Sequence, residues 1–193
     1  MNIPAEFERQ LKRFRSLSPI EGRRAAFRFV RDLHYGDIGS RNPFDVLMAK
    51  KGTCSGKHAL LRLFFEGLGY GVQSFFAVHD FSTFPINLWP VELRKFQHRT
   101  ITDYHDFLKV KVGDRWLTVD AMFDAPLAQR GFPVHDWDGE SDMQLPVQSQ
   151  ETFPAEGDAE DHKKRLVASL PEQTQKDRKQ FLSALTTWID GQR

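Results

Sequence analysis

The sequence predicts an α+β fold in which a helix that begins at a cysteine packs on a small antiparallel sheet. Three observations lead to this prediction. Apolar residues recur at helical spacing after Cys54, the only cysteine in the 193-residue chain. Two runs of alternating residues flank Gly113-Asp114, a pair that suits a two-residue hairpin turn. Amphipathic helical patterns near both ends of the chain place further helices around this centre.

Two helices are expected before the cysteine. The first covers residues 5–17, where an apolar stripe runs between basic side chains, and Ser18-Pro19 ends it. The second covers 20–33, with its apolar residues turned inward and its arginines in solvent. Glycine, asparagine and proline mark 34–43 as a loop, and 44–50 is expected to be a short helical or irregular lead-in.

The helix that follows is the expected nucleophile helix. Thr53 suits the N-cap position, where its hydroxyl would accept a free backbone N–H. The positive end of the helix dipole favours a thiolate at Cys54, and lysines at positions 50, 51 and 57 are expected to add positive potential. A nucleophilic sulfur with a depressed pKa is therefore predicted. The alternative is that Cys54 is a small buried hydrophobic residue.

The two runs around the hairpin turn fix an expected register. If Val112 faces Arg115, then Phe107 faces Asp120, and His105 lies one diagonal step from Asp120. That step is about 7–8 Å at the backbone, so the carboxylate can reach the imidazole if the side chains lean together. The opposite face of the hairpin carries an apolar row suited to a core, which consists of Leu108, Val110, Val112, Leu117 and Val119.

These motifs together resemble the transglutaminase-like superfamily of papain-like thiol enzymes. They are Gly52-Thr53-Cys54 at the start of a helix, a histidine opening a strand, and Gly113-x-x-Trp116-x-x-Val119-Asp120 closing the next strand. The resemblance covers about residues 25–125 and implies a papain-like fold with a catalytic triad of Cys54, His105 and Asp120. The sequence departs from the family's pattern at Asp106, where many members place alanine, and at His58, one helical turn after the cysteine.

The resemblance implies amide or peptide chemistry through an acyl-enzyme, with hydrolysis and acyl transfer both open. The expected partner is thus a peptide, protein or small amide substrate. An oxyanion would need a donor besides the backbone N–H of Cys54, and Tyr35 and Asn42 are candidates for it. Two rival hypotheses remain. The first is a binding or assembly module that retains the fold without catalysis. The second is a redox-sensing thiol, but the chain has no resolving cysteine.

His58 shares a helix face with Cys54 and offers two alternatives to a packing role. The first is a role as the base, but no carboxylate is evident to orient it, whereas His105 has Asp120. The second is a metal site with Cys54, but two ligands fall short of a structural zinc site. No metal or other cofactor is expected. The remaining histidines considered are expected to be surface or structural residues, and they are His79, His98, His135 and His162.

The rest of the chain is expected to complete one domain spanning 1–193, with a catalytic core over 25–125. Aromatic residues within 81–104 are expected to form either a cleft wall or a loop packed on the sheet. Residues 126–160 are acidic and contain proline and glycine, which predicts a solvated loop region rather than a calcium site. Helices are predicted within 161–193, over 162–170 and 174–189.

Composition narrows the classes of partner. Lys+Arg 27 against Asp+Glu 26 gives a formal charge of +1, so no nucleic acid or anionic membrane is expected as a partner. No apolar run approaches the roughly 20 residues that span a bilayer. The N-terminal residues lack the charged and apolar regions of a signal peptide, so a cytoplasmic location is expected. Oligomeric state is not predicted.

Overall fold

The computed structural model describes residues 3–83 and 90–191. Its α-helices within these ranges are α1 (Ala5–Arg15), α2 (Pro19–Arg31), α3 (Pro43–Ala49), α4 (Cys54–Gly67), α5 (Ala159–Ala168) and α6 (Glu172–Asp190). All six fall where helical patterns or the lead-in were predicted. No helix within the described ranges is both long and apolar enough to cross a bilayer.

The main sheet confirms the predicted α+β class. Its strands are β3 (Gly71–Asp80), β4 (Thr102–Val112), β5 (Arg115–Val119) and β6 (Ser149–Pro154), and their antiparallel order is β5-β4-β3-β6. Two-residue strands β1 (His34–Tyr35) and β2 (Lys51–Gly52) pair in parallel just before α4. The hairpin register is also confirmed, because Val112 pairs with Arg115 around a turn in which Gly113 has a φ of 61°.

The first core cluster packs α4 onto the sheet. Leu60, Leu61, Phe64 and Phe65 of α4 are all fully buried there. They meet the apolar row predicted on the hairpin, of which Leu108, Val110, Leu117 and Val119 are buried and Val112 is partly buried. Helices α1 and α2 cover α4 from outside and cross closely, since a Cβ at Gly22 would lie 2.7 Å from the carbonyl oxygen of Phe14. This packing fixes the N-terminus of α4 relative to β4.

A second cluster lies on the side of the molecule that α6 covers. The rings of Phe81 and Phe96 both pack against Phe181 of α6, and Ile101 is fully buried beside them. These two aromatic residues of the segment 81–104 therefore pack against a helix. Residues 84–89, which include Phe84, Pro85 and Trp89 of the predicted aromatic segment, lie outside the described residues.

The segment 126–160 is more ordered than the predicted solvated loop. Trp137 is 2% exposed and packs against Phe27 and Phe65, and β6 adds an edge strand to the main sheet. One of its carboxylates is paired with α2, since Asp136 lies 2.5 Å from Arg28. The sequence did not predict these contacts, because the segment is mostly acidic and its few apolar residues have no regular spacing.

Candidate active site

Cys54 is the first residue of α4 and is 7% exposed. Thr53 occupies the predicted N-cap position, but the predicted capping bond is wrong, because its side chain makes no cap hydrogen bond. Its hydroxyl oxygen is buried and has no hydrogen-bond partner among the described residues. The N–H groups of the first helical turn have no acceptor within the helix. Without the threonine oxygen, this turn keeps donors for a group that approaches Cys54.

His105 and Asp120 are in direct contact, as the register predicted. Nε2 of His105 lies within hydrogen-bond distance of one Asp120 carboxylate oxygen. The other Asp120 oxygen accepts the backbone N–H of Met122 at 2.9 Å. Both side chains are almost completely buried. The backbone N–H of Met122 therefore fixes the carboxylate that contacts the imidazole, and Asp120 lies just beyond the end of β5.

The other ring nitrogen of His105, Nδ1, is buried and has no hydrogen-bond partner among the described residues, and the imidazole also interacts with Cys54. Burial disfavours the imidazolium, but the charge of Asp120, the hydrogen bond to it and the interaction with Cys54 raise the pKa of His105 to about 10. Burial acts to raise the pKa of Asp120, but the charge of the same imidazolium and its hydrogen bond outweigh burial, so the pKa of Asp120 is lowered. The pair is therefore poised as imidazolium and carboxylate.

A charged cluster that the sequence did not predict surrounds the sulfur of Cys54. Lys163, on α5, places its Nζ 3.8 Å from Sγ, 3.1 Å from the hydroxyl oxygen of Ser55 and 2.5 Å from an oxygen of Asp106. The same Asp106 oxygen accepts from the Ser55 hydroxyl at 2.7 Å and lies 3.6 Å from Sγ. Lys163 is separated from Cys54 by 109 positions, so no local pattern could have revealed the contact.

These neighbours determine the ionisation of the thiol. Burial opposes ionisation of Cys54 and Asp106 opposes it further, but Lys163 and then His105 outweigh them and lower the pKa of the thiol. The positive potential at the sulfur therefore comes from Lys163 and His105, and not from Lys51 and Lys57 as predicted. Lys51 pairs instead with Asp190 at 2.7 Å, and Lys57 points into the protein.

Lys57 is a fully buried lysine with a structural set of contacts. Its Nζ donates to the backbone carbonyls of Arg31, Leu33 and Met122 at 2.9, 3.0 and 2.7 Å. Burial lowers its pKa to about 7 against the opposing charges of Asp124 and Asp120. The lysine therefore ties the end of α2 to the segment that follows Asp120.

His58 has a packing role that its contacts define. Its Nδ1 donates to the carbonyl of Cys54 at 2.9 Å, and its Nε2 accepts the backbone N–H of Ala121 at 2.9 Å. Burial lowers the pKa of His58 to about 4. It is therefore a neutral link between the nucleophile turn and the segment after β5. These contacts agree with the predicted packing role and not with the role of base or metal ligand.

Two other histidines are buried, and both are structural. His79 packs against Phe81, with ring centroids 4.6 Å apart, and burial lowers its pKa to about 4. Nδ1 of His162 accepts the backbone N–H of Glu156 at 2.8 Å, and its ring packs edge-on against Phe76. The contacts of His162 dock the α5 helix, which carries Lys163, onto the sheet.

Cys54 opens into a cleft of about 1340 Å³ between the loop that precedes α3 and the helices α5 and α6. Tyr35 and Asn42, the two predicted oxyanion donors, both line this cleft. The side-chain oxygen of Asn42 already caps α3 by accepting the N–H of Phe44 at 2.9 Å. Burial, followed by the negative charge of Cys54, raises the pKa of Tyr35, so its phenol stays neutral. Within the described residues, no group of three or more ligand-type side chains is arranged to hold a metal ion.

Comparison with known proteins adds little to this geometry. No family model matches the chain, and none of the curated proteins matches it. Among solved structures, it is similar to a protein from Cytophaga hutchinsonii that is provisionally named a cysteine protease, with a TM-score of 0.41 and 15% sequence identity. That match covers 65% of this chain and 42% of the other. A likeness of this size carries no weight for the chemistry, which depends on the side chains described above.

Proposed function

We propose that this protein is a transglutaminase-like thiol enzyme that acts on amide or peptide bonds through an acyl-enzyme intermediate. Cys54 is the nucleophile, His105 the proton donor and acceptor, and Asp120 the group that orients the imidazole. The observation that carries the proposal is the buried contact of His105 Nε2 with Asp120, which leaves Nδ1 without a hydrogen-bond partner among the described residues while the imidazole interacts with a cysteine at a helix N-terminus. The lowered pKa of the Cys54 thiol and the raised pKa of His105 both favour a thiolate and imidazolium pair.

In the first step, the thiolate attacks the substrate carbonyl, and a C–S bond forms while the π electrons of the carbonyl move to its oxygen. Collapse of this intermediate restores the carbonyl and breaks the C–N bond, and Nδ1–H of His105 protonates the departing nitrogen. His105 then accepts a proton from water or an amine, which attacks the thioester and releases Cys54. Asp120 stays ionised throughout and stabilises the imidazolium.

The cleft supports a substrate of peptide size. Its volume of about 1340 Å³ exceeds the range of roughly 300–1,000 Å³ common for small-ligand pockets. Its lining is largely polar and charged side chains from the loop before α3 and from α5 and α6. These walls would hold an extended polar chain across the N-terminus of α4, with one carbonyl at Cys54.

The acyl-enzyme is the step to test. With 4-nitrophenyl acetate, the wild type is expected to release a burst of 4-nitrophenolate equal to the enzyme concentration and to carry an acetyl group on Cys54. Mass mapping locates the group, and hydroxylamine should remove it, since a thioester is cleaved where an acetylated lysine is not. Cys54→Ser and His105→Ala should both lose the burst.

A burst of equal size in Cys54→Ser would contradict the proposal. The rival hypothesis is a binding module that retains the fold without catalysis. Under that hypothesis the wild type gives no acetyl adduct at Cys54, so the same measurement separates the two functions.

A further inference from the structure

Lys163 is held in place by groups other than the sulfur it contacts. Its side chain is 12% exposed and that of Asp106 is 9% exposed, so both charges are largely withdrawn from water. Asp106 accepts from both Lys163 and Ser55 through the same oxygen. The His162 contacts with Phe76 and with the N–H of Glu156 anchor the first turns of α5 beneath the lysine. The ammonium is therefore fixed before any substrate arrives.

An ammonium has three N–H donors, and Lys163 has three acceptors in the site. Two of them, the Asp106 carboxylate and the Ser55 hydroxyl, are anchors whose charge does not change during the reaction. The third is Sγ of Cys54 at 3.8 Å. When the thiolate bonds to a carbonyl carbon, the negative charge leaves sulfur and appears on an oxygen only two bonds away. The third N–H of Lys163 therefore loses the thiolate as its acceptor at the moment when an oxyanion forms beside it.

We infer that Lys163 is a catalytic residue of this site, which contacts the thiolate in the free enzyme and donates to the oxyanion when the carbonyl is attacked. It thus supplies the side-chain donor that accompanies the backbone N–H of Cys54. Fixed donors aimed where charge develops are the groups that lower the barrier to acyl transfer. This inference rests on the proposed function, since it assigns a role within the same reaction.

Two reagents separate the two roles of Lys163. Alkylation by iodoacetamide needs the thiolate but forms no oxyanion, whereas acylation by 4-nitrophenyl acetate passes through one. Both rates are measured across pH and compared at their high-pH plateaus, where the thiol is fully ionised. For Lys163→Met, we expect the acylation plateau to fall at least about tenfold, because one oxyanion donor is worth about 10²–10³ in rate. The alkylation plateau should change less than about threefold, and its midpoint should move to higher pH.

Three further variants keep this test interpretable. Lys163→Arg retains a charged donor and should recover much of the acylation rate. The double variant Lys163→Met/Asp106→Asn removes the buried carboxylate that Lys163→Met alone would leave unpaired, and it should show the same selective loss of acylation. Lys111→Met, at an exposed lysine on β4, is the matched control and should leave both plateaus unchanged.

Equal falls in both plateaus, or no fall in acylation, in the single and double variants would overturn the role of Lys163. The proposed function would survive that result, because it requires only that wild-type Cys54 be acylated and that His105→Ala abolish the burst. A wild type that reacts with neither reagent would overturn both.

Discussion

His58 and His105 have ring centroids 5.9 Å apart, yet their surroundings shift their pKa values in opposite directions. Burial opposes protonation of His105, but the carboxylate of Asp120 on Nε2 and the interaction with Cys54 raise its pKa to about 10. His58 hydrogen-bonds a backbone carbonyl and a backbone N–H, so only the neutral ring satisfies both partners. The chain thus separates the reacting imidazole from the supporting one by the groups that face them.

A prediction at this scale concerns acid stability. The pKa of His58 is about 4 in the folded protein against 6.5 for an unperturbed histidine, so the unfolded chain binds a proton first. Stability from this residue is therefore fully present above pH 6.5 and is lost as the pH falls towards 4, by up to about 3 kcal/mol. His58→Gln cannot titrate, so its free energy of unfolding should fall less between pH 6.5 and 4.5.

Urea unfolding of the wild type and His58→Gln at the two pH values measures this difference. At pH 7 the variant should already be less stable by about 1–2 kcal/mol, because the N–H of Ala121 loses a well-placed buried acceptor. His79, whose pKa is also lowered to about 4, remains in both proteins, so the slope should shrink without vanishing. Identical acid losses in the two proteins would contradict the assignment of His58 as a buried neutral link.

At the scale of elements, three pieces of the chain meet at the sulfur. Helix α4 contributes Cys54 and the free donors of its first turn, the hairpin contributes the imidazole and both carboxylates, and α5 contributes Lys163. The first two are joined through the main core, in which α4 lies on the apolar row of β4 and β5. The third is joined through His162, whose ring packs against Phe76, and through the ion pair of Lys163 with Asp106, so the docking of the C-terminal helices determines whether the site is complete.

The ion pair of Arg178 with Asp103 tests that docking. It joins α6 to β4 two residues before His105, with Nε of the guanidinium 2.7 Å from the carboxylate, and both side chains are largely buried. Arg178→Met should destabilise the protein by about 2–4 kcal/mol, because it leaves a buried carboxylate whose burial is no longer offset by that cation. Chemical unfolding measures the change. The double variant Arg178→Met/Asp103→Asn should recover at least half of the loss, and a double variant as unstable as the single one would argue against charge burial as the cause.

At the scale of the whole molecule, local information predicted the parts and not their assembly. The hairpin register followed from one turn and an alternating pattern, so the approach of His105 to Asp120 was predictable. The helices followed from their apolar spacing. The place of Cys54 opposite the hairpin is a long-range contact, and it was expected only because the motifs resemble a family with that arrangement.

The features of the site that the sequence did not predict depend on contacts between distant segments of the chain. Lys163 reaches the sulfur from 109 positions away, and nothing in its charged neighbourhood distinguishes it from a solvated lysine. Lys57 was misinterpreted for a related reason, since the same spacing suits a cation beside the thiolate and one that binds carbonyls inside the protein. The hydroxyl of Thr53, which has no hydrogen-bond partner in the described part of the chain, also differs from the usual behaviour of an N-cap threonine.

The pH dependence of Cys54 alkylation by iodoacetamide is a decisive test of the thiolate and imidazolium pair. Because the chain has a single cysteine, alkylation of a thiol can occur only at this site. We expect the wild type to react well below the free thiol pKa of about 8.5, His105→Ala to move the midpoint upward, and Asp120→Asn to do so to a smaller extent. An inert Cys54, or the same ordinary thiol midpoint in all three proteins, would contradict the pair.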